Sequence, residues 1–257
     1  MIFGSHGHIF TQIYVKINRM KKPYLSIFFP YLNDWGTIGS LLLLATDTAK
    51  KITPNYELLV IDDGSNPMAK AALDSFKKNV PKLRVIHNLK NTGYGSALRL
   101  GFTSSKGELI FYTDGDAQYD VRELQLLYAA YRPGIGLVNG YKIHRHDPWY
   151  RIILGEIYHQ LVKLAFRLPL KDTDCDFRLI ENQVFNQVKL YENSGTICVE
   201  LVKKISHFGY KIKQVPVNHY DRPSGFSQFF NFRRLYNTIV RLMHLWWKLI
   251  IQGDYYT

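Results

Sequence analysis

The chain has 257 residues, which at about 150 residues per domain predicts one large domain with an appendage. Hydrophobic residues make up 46% of it and charged residues 21%, which excludes disordered, collagen-like and disulfide-scaffold proteins. The 33 basic and 21 acidic side chains give a net charge of +12, which indicates an anionic partner: nucleic acid, acidic lipid or a phosphorylated small molecule. The two cysteines fit reduced thiols, because they form neither a disulfide framework nor a zinc pattern.

Apolar runs alternate with helix-like stretches through the first 140 residues. The pattern predicts strands at residues 25–30, 56–61, 83–86, 108–113 and 135–138. It predicts helices at residues 38–51, from the turn after residue 65 to about 78, 93–104 and 121–131. Strands that alternate with helices of this length predict an α/β fold with a mostly parallel sheet covered on both faces.

Polar and acidic residues follow three of the predicted strands. Asn33 and Asp34 follow the first strand, Asp62 and Asp63 the second, and residues 114–116 the fourth. We expect these residues to meet at one edge of the sheet, where α/β proteins bind their ligands.

The second half of the chain is less regular. It predicts a helix at residues 149–166, an acidic turn at 172–176, a helix at 198–208 and a strand at 212–217. We expect this half to form the acceptor side of a site.

The segment TDGDAQ at residues 113–118 presents two carboxylates and an amide at a strand end. Oxygen ligands suit Mg²⁺ or Mn²⁺, and Mg²⁺ commonly shares one or two protein carboxylates with substrate phosphate. The segment therefore predicts a metal-bound diphosphate. A solvated turn is the alternative, since Asp-Gly-Asp is common in turns.

Three motifs in order carry a family resemblance: LVIDDGS at residues 59–65, NTGYGSA at 91–97 and TDGDAQ at 113–118. With them the sequence resembles the family 2 glycosyltransferases of GT-A fold, and among these the dolichol-phosphate and polyprenyl-phosphate sugar synthases. DCDFR at residues 174–178 is similar to that subgroup's Asp-x-x-Gly-Phe-Arg element, and the resemblance covers about residues 24–228.

The resemblance implies that a divalent metal, Mg²⁺ or Mn²⁺, assists transfer of a sugar from a GDP- or UDP-linked donor. The acceptor it implies is a polyprenyl phosphate, attacked in a single inverting displacement at the anomeric carbon. A lipid phosphate is already ionised and needs cations rather than a strong base. The cationic candidates are Lys142, Arg145, Arg151, Arg178 and Arg222.

Carried over residue by residue, the resemblance assigns three groups of site residues. The nucleotide-sugar group is Pro30, Asn33, Asp34, Asp62, Asp63, Gly93, Asp114 and Gln118. The metal group is Asp114, Asp116 and Gln118. The catalytic group is Asp116, Asp174, Asp176, Arg178 and Arg222, the last in a loop similar to the subgroup's Arg-x-x-Gly-x-Ser.

The sequence departs from the family pattern at three positions. Leu32 stands where the base-stacking aromatic is usual, Asp176 replaces a glycine, and Gln228 replaces a lysine. The first departure affects the expected contact with the nucleobase, and the third weakens one expected phosphate contact.

A stripe of apolar residues predicts an amphipathic helix at the end of the chain: Phe232, Leu235, Ile239, Leu242, Trp246 and Leu249. Arg234, Arg241 and Lys248 form a basic side, so the helix suits an anionic membrane surface. Packing on its own domain or in a dimer interface is the alternative.

We predict three regions: an N-terminal extension (1–22), a glycosyltransferase domain (23–228) and the amphipathic helix (229–257). No run approaches the ~18 apolar residues of a membrane span. The reduced thiols and the amphipathic helix give the cytoplasm, peripherally on the cytoplasmic face of the membrane, as the expected location, and the oligomeric state stays open.

Two other functions remain alternatives. A saccharide hydroxyl in cell-surface polysaccharide synthesis would need a carboxylate to take its proton, and Asp174 or Asp176 would be the base. A basic non-catalytic module that binds membrane or nucleic acid leaves the acidic clusters unexplained, so we expect no nucleic-acid partner.

Overall fold

A computed structural model describes residues 23–143, 149–221 and 232–256. It contains seven strands: β1 (Leu25–Tyr31), β2 (Tyr56–Asp62), β3 (Leu83–His87), β4 (Leu109–Thr113), β5 (Ile135–Ile143), β6 (Phe177–Glu181) and β7 (Lys211–Asn218). They form one sheet in the order β3-β2-β1-β4-β6-β5-β7. The pairs within β3-β2-β1-β4 are parallel, β6 is antiparallel to both of its neighbours, and β5 pairs with β7 in parallel.

The described helices lie between these strands or follow them: α1 (Trp35–Ile52), α2 (Pro67–Phe76), α3 (Tyr94–Ser104), α4 (Leu124–Ala130), α5 (Trp149–Phe166), α6 (Ile197–His207) and α7 (Phe232–Trp246). Short 3₁₀ segments lie at Val121–Glu123 and Asn182–Asn186, and a π-helical segment, Trp247–Ile251, continues α7.

Both faces of the sheet are buried. In β1, Ile27 and Phe29 point into one core with residues of α1, α2 and α4, while Phe28 points into a second core. Residues of α3, α5, α6 and α7 fill that second core. This two-sided burial explains why the central strands read as continuous apolar runs instead of alternating patterns. The α/β prediction of a mostly parallel sheet with flanking helices is confirmed.

The sequence interpretation missed one strand, β6. Residues 172–178 were interpreted as an acidic turn and a motif, whereas Phe177–Glu181 pairs with β4 and β5. Two smaller differences concern length: β5 continues to Ile143, and the helix predicted at 121–131 is a 3₁₀ turn followed by α4. The Asp120 side chain caps that turn by accepting from the Arg122 amide at 2.9 Å.

The end of the chain packs on the same domain. Leu245, Leu249 and Tyr255 are buried in the second core, and the Trp246 indole donates to the Ala165 carbonyl of α5 at 3.0 Å. Among the described residues, no helix has the length and apolar character needed to span a bilayer. The N-terminal extension (1–22) lies outside the described residues, and the three-region division stays a prediction.

Candidate active site

The polar residues that follow β1 and β2 lie side by side. The register pairs Tyr31 with Asp62, and the Asp63 amide donates to the Tyr31 carbonyl at 3.0 Å. Asn33 then bridges the two loops, because its amide donates to Ser65 Oγ and its Oδ1 accepts from the Asn66 amide, each at 3.0 Å. Asn33 has φ 62°, a left-handed conformation in which asparagine is enriched.

The loop after β4 joins this edge through the first turn of α1. Thr37 Oγ1 donates to the Gly115 carbonyl at 2.6 Å, and Asp34 occupies the N-cap position of the same helix. A Cβ on Gly115 would lie 3.1 Å from the Pro30 carbonyl and 4.0 Å from an Asp34 carboxylate oxygen. The three polar clusters therefore converge on one edge, as their positions after the strands predict.

Asp62 is fully buried and is bound within the protein. Its Oδ1 accepts from the Ser65 amide at 2.9 Å, and its Oδ2 lies 2.7 Å from His87 Nδ1. The outer nitrogen of His87 contacts Asp74 at 3.3 Å. Asp62 thus holds the turn after β2 and the end of β3 together.

Asp63 ties the end of β2 to the loop that follows β3. Its Oδ1 accepts from Asn88 Nδ2, the Thr92 amide and Thr92 Oγ1, at 2.9, 2.9 and 2.6 Å. Its Oδ2 accepts from the Gly93 amide at 2.8 Å. Gly93 has φ 101°, and a side chain on it would collide with the Asn193 carbonyl. Asp62, Asp63 and Gly93 lie together at this edge of the sheet and their bonds shape its loops, while their contact with a nucleotide sugar stays a prediction.

The candidate metal loop contains Asp114, Asp116 and Gln118. Asp116 is buried and its Oδ1 accepts from the Gln118 amide at 3.1 Å, a tight turn in which Ala117 has φ 59°. Gln118 Nε2 donates to the Tyr220 carbonyl at 3.2 Å, so the amide oxygen is the atom that a cation would contact.

This donor set fits a hard divalent cation. All three side chains offer oxygen, which suits Mg²⁺ and Mn²⁺. In the described part of the chain, no group of three or more His, Cys, Asp and Glu side chains is placed to hold a metal ion. Two carboxylates and an amide fit a metal that is shared with a substrate, because Mg²⁺ sites often combine one or two carboxylates with phosphate oxygens.

The missed strand β6 brings the acidic turn to this loop. Its antiparallel register pairs Thr113 with Phe177, so the chain positions of Asp114 and Asp176 adjoin just beyond the last pair. Hydroxyl and thiol groups surround these carboxylates. Tyr94 Oη donates to Asp114 Oδ1 at 2.7 Å, and Asp176 Oδ1 accepts from Tyr112 Oη at 3.3 Å and Cys198 Sγ at 3.0 Å.

Burial and two carboxylates keep the nearby tyrosine neutral. The pKa of Tyr94 is raised well above 10.0, first by desolvation and then by the charges of Asp114 and Asp176. A neutral phenol remains a hydrogen-bond donor at every physiological pH. Tyr94 belongs to the motif NTGYGSA at residues 91–97. The sequence analysis missed Tyr112 and Cys198 as site residues, because Tyr112 lies in the buried strand β4 and Cys198 on the apolar side of α6, where no polar pattern marks them.

Arg178 lies beneath the acidic turn. It is fully buried on β6, and its guanidinium donates to Asn139 Oδ1, Tyr112 Oη and the Thr173 carbonyl, each at 2.7 Å. Asp176 Oδ1 lies 3.7 Å from the same guanidinium. The assignment of Arg178 to the catalytic group stays a prediction: in this structure the side chain is fully buried and supports the turn.

Asp174 faces a polar recess beside the acidic turn. The recess is lined by Tyr141, Lys142, Gly155, Glu156, His159, Lys171, Asp172 and Asp174. The side chain of Asp174 is exposed to the recess but crowded by protein. Desolvation, helped by Asp172 and Asp176 and opposed by Lys142 and Arg178, raises the pKa of Asp174 to about 6. Lys142 Nζ donates to the Asp174 carbonyl at 3.1 Å.

Two further predictions concern the nucleobase and the late loop. Tyr31 is buried and its hydroxyl donates to the Ala69 carbonyl at 3.3 Å, whereas Leu32 is exposed at the surface. Tyr31 is therefore a core residue and does not replace the missing aromatic. Arg222 and its loop lie outside the described residues, as does Arg145.

Comparison with known proteins gives sequence relatives of one activity. The undecaprenyl-phosphate 4-deoxy-4-formamido-L-arabinose transferase of Aeromonas hydrophila subsp. hydrophila is 24% identical over 206 residues, 80% of this chain and 62% of that protein. The transferase of the same name from Enterobacter sp. strain 638 is 25% identical over 221 residues, 85% of this chain and 66% of its own length. The chain thus spans less than two thirds of these curated relatives.

Solved structures share the fold. Glucosyl-3-phosphoglycerate synthase from Mycobacterium tuberculosis, in complex with phosphoglyceric acid, has a TM-score of 0.68 at 14% identity, over 89% of this chain and 80% of that one. The same enzyme with Mn²⁺, UDP and glucosyl-3-phosphoglycerate has a TM-score of 0.66 at 14% identity, over 96% and 86%. These similarities establish the GT-A fold.

The family itself is shown by sequence. A family model described as glycosyl transferase family 2 matches residues 26–189, which is more than half of the chain and includes the loops after β1, β2 and β4. The resemblance carried by the three motifs is confirmed. This chain belongs to glycosyl transferase family 2.

Proposed function

We propose that the protein transfers a sugar from a nucleoside diphosphate sugar to a polyprenyl phosphate. The observation that carries the proposal is the name shared by the two bacterial relatives, which align with 80% and 85% of this chain. Undecaprenyl phosphate is the acceptor in that name. The mycobacterial enzyme crystallised with Mn²⁺ and UDP supports a metal-bound nucleoside diphosphate on the donor side.

Asp114, Asp116 and Gln118 would hold the cation, Mg²⁺ or Mn²⁺. When bound, the cation stabilises the negative charge that develops on the departing diphosphate. Asp63 and Asn33 keep the loops of the donor side in place through the hydrogen bonds described above. Tyr94 orients Asp114 by donating to its Oδ1.

The acceptor enters from the acidic turn, opposite the leaving group, and a single displacement inverts the anomeric carbon. A phosphate monoester is mostly ionised at neutral pH, with a second pKa of about 6, so its oxygen attacks without a strong base. Cations at this side, with Lys142 among them, position the phosphate. The assay below decides whether the donor carries GDP or UDP and which sugar it carries.

A saccharide hydroxyl is the second candidate acceptor, and one observation favours it. The pKa of Asp174 at about 6 suits a general base that works near neutral pH. A hydroxyl must lose its proton during attack, and Asp174 faces a recess into which such an acceptor could enter.

We further propose that two helices rest on an anionic membrane surface. On α5 a row of exposed apolar side chains follows helical spacing: Ile153, Ile157, Leu161 and Leu164. The end of the chain adds exposed Leu235, Tyr236, Ile239, Val240, Met243, Trp247 and Ile251. The Trp246–Ala165 hydrogen bond joins the two helices, which supports placing both rows on one surface. A lipid acceptor would be taken from the bilayer at this surface.

The function is tested by incubating the purified protein with undecaprenyl phosphate, Mg²⁺ or Mn²⁺ and a panel of labelled UDP- and GDP-sugars. We expect label in the organic phase with one class of donor, and loss of that label with EDTA or with Asp116→Asn. Asp47→Asn, a change of the same kind on the exposed side of α1, is the matched control and retains activity. Release of nucleoside diphosphate only with saccharide acceptors would replace the lipid phosphate by the second candidate.

A further inference from the structure

His159 on α5 is a buried titratable side chain that the mechanism above leaves unused. It is 5% exposed, and its Nδ1 accepts from the Thr173 amide at 3.3 Å and lies 3.1 Å from Thr173 Oγ1. A backbone amide can only donate, so Nδ1 is unprotonated and Nε2 carries the proton. Nε2 is buried and has no hydrogen-bond partner among the residues that the structure describes.

Thr173 is held from both sides of its main chain. His159 accepts from its amide, and the buried Arg178 donates to its carbonyl at 2.7 Å. The next residue is Asp174, whose amide donates to Asp172 Oδ1 at 3.0 Å. The turn is therefore fixed immediately before Asp174, by α5 on one side and β6 on the other.

Two more anchors of this turn come from β5. Asn139 Nδ2 donates to the Asp172 carbonyl at 3.2 Å, and the Lys142 amide donates to Asp172 Oδ2 at 3.1 Å. His159 is thus the anchor supplied by α5, the helix that carries the exposed apolar row. An unpaired buried Nε2–H disfavours the folded state, so packing alone gives no reason for a histidine at this position.

We propose that His159 is a positioning residue that sets the acidic turn against α5 and so holds the Asp174 carboxylate at the acceptor recess. The proposal rests on the proposed function, because Asp174 matters to the reaction only if an acceptor enters there. If α5 shifts at the membrane, the contact between His159 and Thr173 would move the adjoining Asp174 peptide.

The test compares His159→Leu with His159→Asn. Asn places Oδ1 close to the position of His Nδ1 and can accept from the Thr173 amide, whereas Leu fills similar space without an acceptor. We expect His159→Leu to lower kcat on the order of tenfold with the KM for the donor unchanged, and His159→Asn to restore most of the rate.

Two measurements do not depend on activity. Hydrogen exchange of the Thr173 amide should be slow in the native protein and in His159→Asn, and faster in His159→Leu. The ¹⁵N shifts of His159 should report a protonated Nε2 and an acceptor Nδ1 in the native protein. Nucleotide binding by calorimetry shows that each variant is folded.

Unchanged exchange and unchanged kcat in His159→Leu would overturn the proposal, as would a His159→Asn variant that protects the Thr173 amide but stays as slow as Leu. If the native protein labels no lipid, the proposed acceptor fails. The positioning effect is then read from the rate of diphosphate release with saccharide acceptors.

Discussion

Asp63 receives four hydrogen bonds at the end of β2 while only 4% exposed, and the loop of residues 88–93 depends on them. Asp63→Asn replaces one acceptor oxygen by a donor that would face an amide or a hydroxyl. We expect the free energy of unfolding to fall by about 3 kcal/mol, in urea unfolding monitored by fluorescence.

Asp74→Asn is the control for this change. Asp74 is half-exposed and pairs with Lys77 and His87 at the surface, where an ion pair contributes about 0–1 kcal/mol. Equal midpoints for Asp63→Asn and Asp74→Asn would show that the Asp63 bonds are not needed for the loop.

A second prediction at this scale concerns the ionisation of Asp174. Its pKa is raised from 3.8 to about 6, so the folded state binds this proton more tightly than the unfolded state. The protonated Asp174 carboxyl therefore contributes most to the free energy of unfolding below about pH 4, and this contribution is lost as the pH rises through about 6.

If Asp174 acts as the base, activity follows the opposite course and rises through about pH 6, because the carboxylate form is the active one. The pH profile of kcat checks this, with Asp174→Asn as the variant that lacks the ionisation. The range to test extends about one pH unit on each side of 6. If kcat of the native protein does not change over this range, Asp174 is not the group that takes the proton.

At the scale of elements, the start of α3 packs against the chain before α6. A Cβ on Gly95 would lie 2.5 Å from the Glu192 carbonyl and 2.7 Å from the Ser194 carbonyl. We expect Gly95→Ala to push these segments apart and to cost about 1–3 kcal/mol in chemical unfolding.

Gly195→Ala supplies a matched control, since a Cβ there has no neighbour within 4 Å among the described residues. Its unfolding midpoint should stay near that of the native protein. A Gly95→Ala variant as stable as Gly195→Ala would mean that the two segments adjust at no cost.

The elements also show what the sequence could predict. Five strands were found because each is a mostly apolar run of usual length bounded by polar turns, and a sixth, at 212–217, because its apolar residues alternate with polar ones. The helices were found because their apolar residues repeat at helical spacing. β6 escaped because FRLIE carries Arg178 and Glu181 and lies next to a motif. Its antiparallel direction follows from its pairing with β4 and β5. The alternation of strands and helices along the sequence does not predict this direction.

At the scale of the whole molecule, a net charge of +12 acts together with the exposed rows on α5 and at the end of the chain. We expect the protein to float with vesicles that contain phosphatidylglycerol, less so as salt rises from low to physiological concentration. Leu164 and Met243 are 79% and 65% exposed, and changing both to Glu should weaken binding at least about tenfold.

Leu89→Glu is the control for vesicle binding. Leu89 is fully exposed but lies in the loop after β3, on neither helix. Equal losses in Leu89→Glu and in the double variant would show that charge, and not the apolar rows, brings the protein to the lipid.

The candidate site could be predicted from the sequence on the donor side more fully than on the acceptor side. Ligand loops at the ends of parallel strands follow from strand order, so Asp34, Asp63 and Asp114 were placed at one edge. Which carboxylates support loops and which face a substrate depends on contacts across the fold. Thr92 lies 29 residues from Asp63 and Cys198 lies 22 from Asp176, and neither pairing has a local signal.

The reversed strand β6 also bears on the order in which the site forms. The loops after β1, β2 and β4 follow neighbouring parallel strands, so most of their contacts with one another form within the first half of the chain. Asp176 reaches Asp114 only after β6 has inserted between β4 and β5, which joins residues 113 and 177. Closing so long a loop carries an entropic cost. Binding of the nucleotide and transfer to the acceptor can therefore appear at different stages of folding, and mild denaturant should abolish transfer while nucleotide still binds.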